Sequence, residues 1–170
     1  MSDLYEARNS IYCYKDSDVL VNKLDIRDNK KLEEIERKIV LAKLYELRQN
    51  HQIGNFDMNH FVGIHKFLFE DIYPFAGLFR NENIAKRNFS FAEWEYIEDE
   101  LRKLLNQLKE ENYLQNLDKD MFVKRLSYYM AELNVLHPFR EGNGRTIREF
   151  SRQLAYKNGY VLNLKHMKPK

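Results

Sequence analysis

The sequence predicts an all-α fold, a helical bundle with one small hairpin, and three observations predict it. Only six glycines and three prolines interrupt 170 residues. Most segments between those breaks repeat their apolar residues at spacings of three and four, the period of one helix face. Residues that favour helix caps stand where the segments begin. With 44% hydrophobic residues, eleven of them Phe and eleven Tyr counted among the aromatics, the chain can bury a core of its own and is expected to be a single domain over residues 1–170.

Residues 1–28 are mixed in character and are expected to be irregular, with the core spanning 29–165. The first helix is expected over residues 29–49, with Leu32, Ile35, Ile39 and Ala42 on its apolar face, and Gly54 closes that unit. Asp57 can cap a second helix that reaches Phe69. The stretch "DIYPFAG", residues 71–77, turns the chain with a proline and a glycine. Helical periodicity lapses between residues 78 and 89, which predicts an irregular hairpin. "SFAE" reads as a capping box, Ser90 at the cap and Glu93 three later, opening a helix that carries Trp94, Ile97, Leu101, Leu104 and Leu108. Asp118 or Asp120 caps the next helix, whose Phe122, Leu126, Tyr129, Leu133 and Leu136 form a buried stripe that Pro138 ends. A last helix is expected over residues 145–158, stopped by Gly159.

The net charge of +2 is the near-cancellation of 28 basic and 26 acidic side chains, which gives no general reason to expect nucleic acid or membrane as a partner. A single cysteine, Cys13, cannot form an internal disulfide and points to a reducing compartment. No apolar run approaches the roughly 18 residues of a membrane span, and "MSDLYEARNS" lacks a leader's apolar stretch, so a cytoplasmic protein is expected.

One stretch carries chemistry: "LHPFREGNGRTIREF", residues 136–150. The glycines of "EGNGR" allow successive amides to point into one concavity, and the helix that starts there adds unpaired N–H groups and a positive dipole end, making an anion cradle. Arg145 and Arg148 are three apart on that helix, so two guanidinium forks face one way, which suits a polyphosphate. Glu141 among these cations is explained by a divalent metal bridging the phosphates, so a magnesium nucleotide fits the set. His137 stands at a helix end with a near-neutral pKa suited to taking a proton from an attacking hydroxyl, and Phe139 would turn inward and fix the loop. Singly, each of these residues has an ordinary structural reading as turn, ion pair or solvated charge. Their joint occurrence within residues 137–148 is what carries the inference.

Other candidates are weaker. His60 and His65 are five apart, roughly 140° around a helix, and do not make a metal pair. His51 and His166 read as surface residues. "KRNFSF" mixes base and aromatics, but one such stretch is slender support for single-stranded nucleic acid.

"HPFREGNGR" followed by "TIR" resembles the Fic motif, HPFx[D/E]GNGRxxR, with every fixed position filled from His137 to Arg148. "DIYPFAG" and "NIAKRNFSFA" resemble the family's approach to its flap hairpin and the flap itself, so that the likeness covers residues 30–165 and is strongest to the short bacterial Fic toxins. The resemblance implies an all-α Fic fold and an enzyme that transfers AMP from ATP to a Tyr, Thr or Ser hydroxyl of a target protein, releasing pyrophosphate. It implies that His137 is the base, that Glu141 holds Mg2+, and that Gly142, Asn143 and Gly144 form the anion cradle. Arg145 and Arg148 would hold the outer phosphates, and Phe139 would be structural.

The flap would be built from Asn83, Ile84, Ala85, Lys86, Asn88, Phe89 and Phe91 and would align the target by adding a short strand to it. Lys86 and Arg87 would lie near ATP, Arg87 standing where many relatives have glycine. Fic enzymes are commonly silenced by a helix bearing [S/T]xxxE[G/N], and none of the seven Ser and Thr residues here opens that motif; Ser2 has Glu6 but then Ala7. A separate small antitoxin is therefore expected to supply it, the alternative being an inhibitory helix in a stretch beyond Lys170, and the gyrase and topoisomerase IV B subunits are the first targets to test. The alternatives are transfer of another phosphate-containing group, or a catalytically silent protein that binds a partner in a nucleotide-dependent way.

Overall fold

The structure, a computed structural model, describes residues 10–49, 54–86 and 89–163. His51, His166, Arg87, Asn88 and the Ser2–Glu6 pair, on which expectations were placed, lie outside the described residues. Among the described residues five α-helices follow in order, α1 (Asn29–Gln49), α2 (Met58–Phe69), α3 (Ile97–Glu110), α4 (Lys119–Leu136) and α5 (Asn143–Lys157). The hairpin of β1 (Ala85–Lys86) and β2 (Phe89–Ser90) lies between α2 and α3, antiparallel with Ala85 opposite Ser90 and Lys86 opposite Phe89. The all-α expectation holds, and so does the hairpin.

Local chemistry explains the helix ends. The Asp57 carboxylate accepts the His60 N–H at 2.8 Å and Asp118 accepts that of Met121 at 2.9 Å, each satisfying an amide that the first turn cannot. Gly159, with φ of 79°, follows α5 in the left-handed conformation that glycine adopts without Cβ strain. α5 lies against both α4 and α2, α1 covers α2, and α3 covers α4. Between them Phe61, Phe139 and Phe150 form a contiguous ring cluster, Phe61 stacked on Phe139 with centroids 5.7 Å apart and edge-on to Phe150 at 5.3 Å. Rings buried this completely contribute about 1.5–3 kcal/mol each and fix α2 against α5.

Three expectations are corrected. The Ser90–Glu93 capping box does not form: Ser90 is spent in β2, and Trp94–Tyr96 is a single 3-10 turn before α3 begins at Ile97. The Trp94 N–H is received instead by the Asn83 side chain, 2.9 Å away across the hairpin, a partner that no local pattern could reveal. On α1 the buried row is Leu32, Glu36 and Val40, with Ile35 and Ile39 half-buried and Ala42 exposed. Glu36 lies in that buried row in place of an apolar residue, paired with Arg145 and accepting the Tyr73 hydroxyl. Finally, α5 begins at Asn143, two residues before Arg145.

Candidate active site

α4 ends in an unusual backbone. His137 has φ 46° and ψ 60°, the left-handed region, which costs a residue with a side chain about 1–2 kcal/mol. Pro138 disfavours a right-handed helical conformation in the residue before it, while the His137 N–H still reaches Leu133 O at 3.0 Å. Neighbours over-determine the ring: Nδ1 lies 3.0 Å from Asn134 O, and the face stacks on Phe91 with centroids 3.8 Å apart. A carbonyl only accepts, so Nδ1 carries the proton and the lone pair is on Nε2. Burial, helped by the charges of Arg80 and Lys86 and opposed by the Asn134 carbonyl, pushes the imidazole pKa down to about 4. At neutral pH the side chain is therefore an uncharged base.

The loop beyond it is closed by Asn143. Its Oδ1 accepts the Phe139 N–H at 2.9 Å and its Nδ2 donates to Phe139 O at 2.6 Å, so the asparagine side chain braces the turn and only its backbone faces the helix start. Phe139 is fully buried and stacks on His65 at 3.7 Å. Gly142 has φ of 82°, and a Cβ there would come within 2.3 Å of the Phe69 ring, so no other residue fits. The Gly142 N–H is taken by the Glu141 carboxylate at 2.9 Å. The N–H groups of Asn143, Gly144 and Arg145 have no acceptor among the described residues, which is the anion-binding end of a helix.

Around that end the charges are arranged in layers. Arg145 pairs with Glu36 of α1 at 2.6 Å and with Glu141 at 3.3 Å, its guanidinium lying over the Phe69 ring. Glu36 also accepts the Tyr73 hydroxyl. Burial raises the Glu141 pKa, as does the nearby Glu36, while Arg145 and the Gly142 amide hold it down. Arg148 is exposed and makes no ion pair with a described residue; its Nη1 lies 3.1 Å from where a Gly144 Cβ would sit, so it folds back over the helix start. In the flap, Ile84 is buried, Phe89 is exposed and touches Phe91 edge-on, and Lys86 is near enough to His137 for its charge to act on the ring.

Sequence reasoning missed Glu36, His65, Arg80 and the Glu82–Arg140 pair. His65 is a buried strut: Nδ1 accepts the Gly77 N–H and Nε2 donates to Glu141 O, both at 2.9 Å, with burial pushing its pKa down to about 3. Arg140 bonds Glu82 at 2.9 Å, joining the motif loop to the base of the flap. The only signals in the sequence were charged or polar residues within otherwise apolar rows, at Glu36 and His65. Among the described residues no three His, Cys, Asp or Glu side chains converge as a metal cage.

Residues 55–155 match the Fic/DOC family. The protein adenylyltransferase VbhT of Bartonella schoenbuchensis is 44% identical over 159 residues, which are 94% of this chain and 33% of that protein. The "Probable protein adenylyltransferase Fic" of Escherichia coli K12 is 36% identical over 163 residues, covering 96% of this chain and 80% of the relative. The chain thus spans a third of the length of one of these relatives and four fifths of the other. Among solved structures, BepC of Bartonella tribocorum with bound AMPPNP aligns with a TM-score of 0.86 at 28% identity, over 92% of this chain and 82% of that one. The Fic domain of a Bartonella quintana protein with bound ADP aligns with a TM-score of 0.85 at 30% identity, over 92% and 80%. The chain belongs to the Fic/DOC family, and the curated relatives it matches carry the name protein adenylyltransferase or probable protein adenylyltransferase.

Proposed function

We propose that this chain transfers AMP from Mg-ATP to a hydroxyl side chain of a protein. The observation that carries the reading is the tautomer of His137, an uncharged imidazole whose lone pair is on Nε2, one short turn before a helix start with unspent amides. Nε2 takes the proton of the acceptor hydroxyl as its oxygen bonds to the α-phosphorus, and the bond from that phosphorus to the bridging oxygen breaks. Pyrophosphate leaves, and the products are the AMP-protein, pyrophosphate and a proton held first by His137. A positioned base of this kind is worth about 10²- to 10⁴-fold in rate.

The chain's own groups divide the remaining work. The Asn143, Gly144 and Arg145 amides receive phosphate oxygens. Arg148 reaches the outer phosphate, and Arg145 adds a donor from a guanidinium whose other edges Glu36 and Glu141 hold in place. Glu141 suits a magnesium ion, because Mg2+ in nucleotide sites takes one or two carboxylates and completes its shell with phosphates and water. Bound there, the metal neutralises phosphate charge. The flap strands present main-chain groups to the target, with Lys86 on the strand that faces the nucleotide.

In the cell this reading makes the chain the toxin of a pair, restrained by a separate antitoxin whose glutamate docks on Arg148, the exposed cation of the site. The gyrase and topoisomerase IV B subunits are the first candidate targets. The test is mass spectrometry of lysate proteins after incubation with the chain and ATP. A peptide heavier by one AMP, absent with the antitoxin and restored when the antitoxin glutamate is changed to glycine, supports the reading; no AMP-bearing peptide sinks it.

A further inference from the structure

Pro138 stops α4, and the helix end is left with carbonyls that no further turn can bond. Each is taken by a group outside the regular helix. Leu133 O receives the His137 N–H at 3.0 Å, Asn134 O the imidazole at 3.0 Å, and Val135 O the N–H of Ala92 at 3.1 Å. Leu136 O and His137 O are both taken by Arg80, at 3.2 and 2.9 Å. The same guanidinium donates to Glu82 O at 2.8 Å and to Ala92 O at 2.5 Å, and the Arg80 N–H donates to Pro138 O at 2.9 Å. Arg80 is only 1% exposed.

Glu82 and Ala92 stand at the two feet of the flap, just outside the Ile84–Phe91 hydrogen bond of 3.3 Å. One buried cation therefore holds four carbonyls, two from the flap and two from the helix end that carries His137. Burying a guanidinium is costly, and here its carbonyl partners and the negative end of the α4 dipole offset that cost. Lysine could not replace it, because only the planar fork offers five donors in fixed directions. From the Ala92 foot the chain runs straight back to Phe91, the ring stacked on the imidazole.

We propose that Arg80 is a positioning residue that joins the two feet of the flap to His137, so that the placement of the flap's feet and the setting of the imidazole are one conformational equilibrium. Its consequence for catalysis rests on the adenylyl-transfer reading; its test does not. An arginine that merely filled space would change overall stability and leave the ring's environment in the folded protein alone.

The test is NMR of the full chain, following the His137 ring protons against pH in the parent, in Arg80→Lys and in Arg80→Met. In Arg80→Lys, which keeps the charge but loses the fork, the His137 pKa should rise by about one pH unit as water reaches the ring. The upfield shift from Phe91 should shrink, the His65 ring should titrate as before, and Mg-ATP affinity measured by calorimetry should stay within about twofold, because Arg80 touches none of the α5 amides. Arg80→Met should show the same changes, larger. Parent-like His137 titration and ring-current shift in a folded Arg80→Lys overturn the proposal. Should neither variant fold, native-state hydrogen exchange in the parent decides: the Ala92 and His137 amides should open together, and an Ala92 amide exchanging about tenfold faster or more contradicts the coupling. A chain that shows the coupling but attaches AMP to no protein refutes the reaction alone, and one that attaches AMP without the coupling refutes Arg80's role alone.

Discussion

At the scale of single residues, His137 owes its chemistry to what surrounds it. The Asn134 carbonyl fixes the tautomer, and burial beside two cations keeps the ring uncharged, so neither property belongs to histidine in isolation. Glycines at the two ends of α5 differ in what they must avoid. Gly142 and Gly159 share a left-handed φ, but a Cβ meets Phe69 at 2.3 Å in one case and nothing within 4 Å in the other. Gly159→Ala should therefore cost about 1 kcal/mol and Gly142→Ala about 3 kcal/mol or more in urea unfolding. Equal costs would mean that the Phe69 contact is absent. Glu141→Gln removes a charge that the nucleotide's metal would use, so the Mg2+ concentration for half-maximal ATP binding should rise about tenfold. A magnesium titration matching the parent's would remove Glu141 from that role.

Elements were legible where their causes are local. The Asp57 and Asp118 caps, the stripe from Phe122 to Leu136 and the stop at Gly159 could be read because each depends on residues within a turn or two. Ser90 misled because a capping box is a local pattern, and here a strand claimed the serine while Asn83, across the hairpin, took over the Trp94 amide. Glu36 misled α1 for the same reason: its partners Arg145 and Tyr73 are far away in sequence, and only they make a buried carboxylate tolerable. The hairpin yields its own prediction. If the flap works through main-chain hydrogen bonds, Phe89→Pro should depress target modification about tenfold more than Phe89→Ala, with ATP affinity unchanged in both. Equal losses from the two changes would point to the Phe89 side chain instead.

Across the whole molecule, the candidate site divides into a part that was legible and a part that was not. The motif from His137 to Arg148 is contiguous, so its spacing could be read directly from the chain. Its supports come from α1, α2 and the segment before the flap, and nothing in the residues around Glu36, His65 or Arg80 announces what they will touch. Those supports give the protein a pH signature. The pKa values of His137 and His65 are pushed to about 4 and about 3, below the ordinary value of 6.5 expected unfolded. Below pH 6.5 the unfolded chain binds protons that the folded chain refuses, so this stabilisation is complete above 6.5 and is lost as pH falls toward the folded values. Between pH 7.5 and 5 the two rings should remove about 4 kcal/mol of stability, and His65→Gln should cut that dependence roughly in half. An unaltered pH slope in that variant would mean that His65 is not buried uncharged.

The central claim is that His137 acts as the base for a protein hydroxyl that takes the α-phosphorus of ATP, and not the γ. Parallel incubations of a bacterial lysate with α-³²P-ATP and γ-³²P-ATP test it directly, each with the parent chain and with His137→Ala. The account predicts a labelled protein band with the α-label and the parent alone. A band carried by the γ-label, or undiminished α-labelling by His137→Ala, would contradict it.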